Sequence, residues 1–411
     1  MSKPVAIVLG GTIPHIELIK NLKLRGYFVI LIDYFENPPA RVFADEHLQE
    51  STLDINKVLR IAKDYSVKLV ISTCLDHTNA VACFVAEQLN LPLPYSYEIA
   101  LSVTNKILMK KKMIENGIPT SKFVKIENLN NYDISDLKFP LIVKPADSNG
   151  SKGVRKVDDL VELDFIIKQA YEISRSKEVI VEEFNEGREI GVDCFITDNK
   201  TNIIMTRERQ KIRKDNEIQQ IYGSFWPATL SSSNIEIIQN IVDKIASIFK
   251  LNNTPLLLQL IECDGEINVI EFAARFGGGE NFRVIKYITG FDIIDSAIKS
   301  FIGESVHFHI NASEYYYFDN YIYTYPGQYG HIDGYKKNLD NGIIEYITEY
   351  KTEGMEIGSD LAGNNRVGVF TVKGKNKKEL LDKIKLVVNA IQVYDINNNP
   401  IMRKDIYEGF I

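Results

Sequence analysis

At 411 residues the chain is too long for one ordinary core and is expected to divide into roughly two to four packed units. Apolar residues make up 45% and charged residues 25%, with only 13 prolines, which excludes a disordered or collagen-like chain. A formal charge of −7 excludes the global cationic field that draws proteins to nucleic acid or anionic lipid.

Residues 4 to 95 alternate short apolar runs with helical patterns: "VAIVLGG", "HIELIKNLKLRG", "YFVILID", "INKVLRIAKDYS", "VKLVIST" and "NAVACFVAEQLN". That order is βαβαβα, which predicts a parallel sheet with helices on its faces. Gly10-Gly11-Thr12 falls at the first strand-to-helix turn, where free backbone N–H groups can meet an anion. The G-x-G-x-x-G spacing is absent, and Asp33 at the end of the second strand could bind a ribose, although an acidic strand-end residue is more often simply solvated.

After "LPLPYSYE" a lysine-rich helix is expected over "ALSVTNKILMKKKMIENG", stopped by Asn116-Gly117 and Pro119. A second unit follows: "FPLIVKP", a Gly/Ser/Lys loop, a helix over 158–174, then "EVIVEEF", "IGVDCFI" and "NIIMTRERQK". A long helix (235–250), the hairpin "LLLQLIECDGEINVIEFAAR" and a helix near 281–302 complete it. From about 305 the texture changes to tyrosine-rich strands, glycine turns and one helix, "KKELLDKIKLVVNAI". Tyr321, Tyr323 and Tyr325, two apart, read as one face of a half-buried strand rather than a base-stacking platform.

Cys74, Cys83, Cys194 and Cys263 are scattered without C-x-x-C spacing, so neither a disulfide framework nor a zinc knuckle is indicated, and a reducing cytoplasm is expected. The apolar run in "MSKPVAIVLGG" is too short for a signal sequence, and no stretch reaches eighteen apolar residues.

The loop "DSNGSKGV" (147–154) lacks the earlier glycine that a Walker phosphate loop requires. Its neighbours give it meaning through their order: helix with Lys106, strand with Lys144, the Gly/Ser loop, a strand with Glu182-Glu183-Phe184, then Glu189, then a hairpin with Gln259, Glu271 and Arg275. This order resembles the ATP-grasp superfamily over essentially the whole chain. It is most similar to the carboxylate-amine ligases, such as the L-amino acid ligases, and shares their layout with carbamoyl-phosphate synthase and biotin carboxylase.

The resemblance implies an α/β N-terminal Rossmann-like (pre-ATP-grasp) domain over 1–100. It implies an α+β ATP-grasp core over 101–305 with a mobile lid subdomain at about 120–186, and a small α+β C-terminal domain over 306–411. It assigns Asn149, Gly150, Ser151, Lys152 and Gly153 to a lid over the ATP phosphates, where glycines let the backbone approach and take positive φ. Lys106 and Lys144 match the two phosphate-contacting lysines. "VIVEEF" (179–184) matches the strand and hinge that read adenine through backbone groups, with Glu182 receiving the exocyclic amine and Glu183 and Phe184 beside it; Glu189 matches the ribose-binding carboxylate.

Gln259 and Glu271 match the metal-binding pair, for magnesium, with manganese as a substitute. A three-residue turn, Asp264-Gly265-Glu266, would set them opposite each other across the hairpin. The strand that relatives write E-x-N-x-R reads Glu271-Phe272-Ala273-Ala274-Arg275 here, so one oxygen ligand is lost, and Gln259 stands where many relatives are acidic. Arg275 remains to steady the migrating phosphoryl group. "RFGGGENFR", with Gly277, Gly278, Gly279 and Asn281, would border the substrate pocket, and Trp226 in "YGSFWPA" reads equally as pocket wall or core.

The implied activity is ATP-dependent activation of a carboxylate as an acyl phosphate for attack by an amine, on small-molecule substrates, without nucleic acid or membrane partners, a homodimer being open. Two other functions fit the same residues: acyl-phosphate chemistry on bicarbonate, formate or another one-carbon acid, and nucleotide binding without turnover, suggested by Ala273 and Gln259.

Overall fold

A computed structural model describes residues 3–148, 153–212, 220–311, 313–359 and 363–407. The N-terminal apolar runs pair as a four-stranded, all-parallel sheet in the order Glu46–Gln49, Phe28–Asp33, Val5–Leu9, Leu69–Ile71. The edge strand Glu46–Gln49, "EHLQ", carries too little apolar signal to be expected from sequence. Helices Ile13–Leu24, Ile55–Asp64 and Asp76–Gln88 connect and cover the sheet, whose central strands are buried beyond their first residues, Val5 and Phe28.

The single helix expected after residue 100 is two. Tyr97–Thr104 ends at Asn105, whose side-chain oxygen accepts from the N–H groups of Ile107 and Leu108 and so caps the next helix, Lys106–Glu115. The cap puts Lys106 in the first helical position. The helix expected near 281–302 is likewise broken: Asn281–Thr289 stops at Gly290, in the left-handed conformation, before Ile293–Phe301 begins.

A second, antiparallel sheet has the order Phe123–Ile126, Val179–Glu183, Leu141–Pro145, Arg155–Val157, with helix Leu163–Ile173 against it. Alternation sends Leu141, Val143, Val179 and Val181 into its own small core. Lys144 and Glu182 therefore point out of that core, toward the third sheet.

That third sheet has eight antiparallel strands in the order Glu266–Ala273, Thr254–Cys263, Arg188–Thr197, Lys200–Lys211, Ile221–Trp226, Tyr316–Ile322, Gly368–Gly374, Tyr346–Glu349. The tyrosine-rich strands expected to open a separate unit at 306 continue this same sheet, pairing with Ile221–Trp226 through Ser224 and Asp319. Beyond them lie a three-stranded sheet and helix Lys377–Ala390. No helix among the described residues is long and apolar enough to cross a membrane.

Candidate active site

A cavity of about 200 Å³ lies between the four-stranded antiparallel sheet and one face of the eight-stranded sheet. Its walls are apolar at Ile142, Ile221, Ile261 and Ile270, and its floor is charged. Lys144 and Glu182 come from adjacent strands of the smaller sheet and form a buried ion pair. Glu182 is shared: Lys110 Nζ approaches its other oxygen at 2.8 Å and also donates to Thr120 Oγ1 at 2.8 Å. Burial alone would raise the Glu182 carboxyl, but Lys144 and Lys110 outweigh it and hold it at about 2. Lys144 is pushed down by desolvation, with Lys110 and Lys106 adding to the effect against the pull of Glu182.

The side chain expected beside adenine is thus occupied by two lysines. Replacing Lys110 with methionine tests the triad: the fold is expected to lose about 1–3 kcal/mol, with Glu182 left to Lys144 alone. Because the Glu182 pKa is depressed, its contribution is present above about 4.5 and fades as the pH falls toward 2. Acid unfolding followed by circular dichroism should therefore begin at higher pH in Lys110→Met; an unchanged acid limb would show that Lys110 is not part of the balance.

On the eight-stranded sheet, Glu189 is buried and receives Arg209 Nη1 at 2.7 Å and Lys211 Nζ at 2.9 Å. These cations outweigh desolvation and lower its pKa. Glu183 is partly exposed and accepts from the Lys138 N–H at 3.0 Å, while Phe184 has Lys156 Nζ 5.2 Å above its ring. Asn149, Gly150, Ser151 and Lys152 lie outside the described residues. Gly153, at φ +73°, sits where a Cβ would come within 2.9 Å of both Pro145 and Ile173, so the loop can leave the strand this closely only with glycine.

Gln259 and Glu271 do face each other, by a different route from the one expected. Cys263 pairs with Glu266, so the turn holds two residues, Asp264 and Gly265, both at positive φ. That register would have offset the pair by one. A bulge at Ile270 supplies the missing residue, and beyond it Gln259 pairs with Glu271, Gln259 Nε2 donating to Glu271 Oε1 at 3.1 Å. Lys106 makes an ion pair with the other Glu271 oxygen. Desolvation would raise Glu271; Lys106 and then Lys144 outweigh it and bring it to about 2. Glu262, out of phase, is turned away to Arg188 and Asn234.

Arg275, the next charged residue on this face, is held by Asp76 at the start of a helix 199 positions earlier. Nε and Nη2 donate to the two Asp76 oxygens at 2.7 and 2.9 Å, and Nη1 donates to the Phe276 carbonyl at 2.9 Å. Sequence reasoning missed Asp76, Lys110 and Arg209. Asn281 folds back on Gly277, where a Cβ would sit 1.8 Å from its Nδ2, while Gly278 faces open space and Gly279 approaches the Tyr321 and Tyr350 hydroxyls. Trp226 is buried with the Arg207 guanidinium 4.9 Å above its ring. Asp33 is spent on its own domain, accepting from the N–H groups of Gly11 and Phe35.

A family model described as ATP-grasp domain matches residues 137–282, the segment that runs from the Lys144 strand to the glycine loop. The chain carries an ATP-grasp domain. Over 200 residues it is 26% identical to an L-arginine-specific L-amino acid ligase of Bacillus subtilis, covering 46% of this chain and 47% of that protein. Over 186 residues it is 27% identical to a formate-dependent phosphoribosylglycinamide formyltransferase of Prochlorococcus marinus, covering 43% and 47%. The chain thus spans about half the length of these curated relatives. An L-amino acid ligase structure from Bacillus licheniformis superposes on it with a TM-score of 0.79 at 16% identity, covering 96% of this chain and 99% of that one. At that identity the likeness is one of fold: the arrangement of sheets described above is the ATP-grasp fold.

Proposed function

We propose that the protein is an ATP-dependent ligase that activates a carboxylate as an acyl phosphate for attack by an amine. The observation that carries this reading is the convergence of Lys106, Lys144, Glu271 and Gln259 in one cleft, with Arg275 clamped beside them at the head of the glycine loop. Nucleotide binds with its base between the isoleucine walls and its phosphates toward Lys106 and Lys144, under the smaller sheet. A carboxylate oxygen attacks the γ-phosphorus and ADP leaves. The amine nitrogen then adds to the acyl carbon, phosphate departs, and the nitrogen loses a proton to give the amide. Positioning and charge neutralisation do most of this work. Arg275 meets the transferring phosphoryl oxygens and then the acyl oxyanion.

Among the described residues no group of three or more His, Cys, Asp or Glu side chains is placed to hold a metal unaided. Glu271 nevertheless offers a carboxylate that fits magnesium, an ion that takes one or two protein ligands and completes its shell with phosphates and water, and the Gln259 oxygen, which accepts from Arg209 Nη1 at 3.2 Å while its Nε2 faces Glu271, would join by turning its amide over. When bound the ion neutralises phosphate charge. Glu271→Gln is expected to raise the half-saturating magnesium concentration at least about tenfold, and Gln259→Glu to lower it; equal values in wild type and Glu271→Gln would remove the metal from this pair. The four free cysteines support placement in a reducing compartment such as the cytoplasm.

Phosphate release from ATP, measured over a panel of amino acids with bicarbonate and formate included, tests the reading. Turnover with amino acids supports it; turnover with formate or bicarbonate alone moves the chain toward the chemistry named by the Prochlorococcus relative. Nucleotide binding with no phosphate release from any acid would leave a binding protein.

A further inference from the structure

Glu280 closes the glycine loop that begins after Arg275, immediately before helix Asn281–Thr289, and it has no solvent exposure. Neither of its carboxylate oxygens accepts a well-formed hydrogen bond from a described group, and the Thr348 hydroxyl acts on it only weakly. Arg283 Nη1 lies 3.2 Å from Oε2 but is turned to donate to Thr348 Oγ1 at 3.1 Å. The Tyr350 hydroxyl is also buried and without a hydrogen-bond partner. A Cβ placed on Gly279 would lie 3.8 Å from the Tyr321 hydroxyl and 3.9 Å from that of Tyr350, so both phenols face the loop.

The eight-stranded sheet continues this chemistry. Asp319, fully buried, gives one oxygen to Thr371 and Tyr346 and leaves the other unpartnered. The cations nearby are committed elsewhere: Arg366 lies 3.9 Å from the Tyr321 ring centre, with its N–H groups on the Tyr323 hydroxyl and the Ile221 carbonyl, and Arg207 is paired with Asp193. Desolvation outweighs Arg283 and the Thr348 hydroxyl and raises the Glu280 carboxyl to about 7, a cost that marks how few donors reach it. Buried carboxylates so short of donors are rare in native chains, and a ligand that brings its own N–H groups satisfies them.

We propose that Glu280, with the hydroxyls of Tyr350 and Tyr321, forms a subsite for the ammonium group of the carboxylate-bearing substrate. The inference rests on the ligase reading for its placement and deepens it. An amine cannot attack while it is held as a cation at a carboxylate, so the subsite is assigned to the partner being activated, whose ammonium stays protonated throughout. The substrate class is then an amino acid, engaged through its ammonium here and through its carboxylate near Arg275.

Binding calorimetry on the full chain, saturated with a non-hydrolysable ATP analogue and magnesium, tests the subsite apart from turnover. The probes are the twenty standard L-amino acids, each against the same acid lacking its amino group. At least one amino acid is expected to bind wild type, its des-amino counterpart much more weakly. Glu280→Gln, which keeps the shape, should weaken the amino acid about ten- to hundredfold without changing affinity for the nucleotide, since one charge-assisted contact is lost. Tyr350→Phe should weaken it less and serves as the second variant, with melting temperatures confirming that both fold. Equal binding of amino and des-amino acids, no amino-acid binding at all, or an unchanged affinity in Glu280→Gln overturns the subsite. Phosphate release in the same samples judges the ligase reading separately: amino-acid binding that depends on Glu280 without turnover keeps the subsite and sinks the ligase.

Discussion

Replacing Arg275 with alanine is expected to lower phosphate release about 10²–10³-fold, the usual loss when one donor to a developing oxyanion is removed, while ATP affinity changes little. The guanidinium carries five N–H groups, and three are spent on Asp76 and the Phe276 carbonyl. One remains on each terminal nitrogen. They border a void of about 20 Å³ shared with Gln259 and Glu271, where a transferring group would come. Arg275→Lys should fare almost as badly, because an ammonium cannot span both Asp76 oxygens and reach forward as well. Steady-state turnover and calorimetric ATP binding, measured together, decide it. A fall in ATP affinity as large as the fall in turnover would put Arg275 on the resting nucleotide and not on the transition state.

Lys144→Met is expected to weaken ATP binding about ten- to hundredfold and to leave turnover below about one per cent, because a charge-assisted phosphate contact disappears while the aliphatic stem is kept. Lys144 is buried against Glu182, not pointed at water, so its loss also disturbs the triad. The fold should nonetheless survive, since Lys110 still holds the carboxylate at 2.8 Å. Unchanged ATP affinity in a folded Lys144→Met chain would remove this lysine from the phosphate site.

Much of this cleft was legible in the sequence, because alternation in "LIVKP" and "VIVEEF" puts apolar residues in one core and Lys144 and Glu182 on the opposite face. The Ile270 bulge had left an imprint that went unread. Buried apolar residues fall at 267, 269, 272 and 274, and the step of three between Val269 and Phe272 is where alternation changes phase. Lys110 was hidden in a run of three lysines, although it stands four residues from Lys106 and so on the same side of the helix. Asp76 had no local signal, since its role exists only once a distant strand delivers Arg275 to it. Glu280 carries no signal of its own within "RFGGGENFR", and burial is what distinguishes it.

The pairing within the cleft has a consequence for how a nucleotide enters. Seven cations, Lys106, Lys110, Lys144, Lys156, Arg209, Lys211 and Arg275, stand with six carboxylates, Glu271, Glu182, Glu183, Asp158, Glu189 and Asp76, a formal excess of one. On the ligase reading, ATP would enter by displacement: its phosphates would take Lys106 from Glu271 and leave that carboxylate free to hold magnesium. Binding becomes an internal ion exchange, in which one anion replaces another around lysines that were already dehydrated. Such a site spends little on stripping water from its cations, and association gains little from long-range attraction. Its affinity should fall less steeply with added salt than that of an open basic pocket.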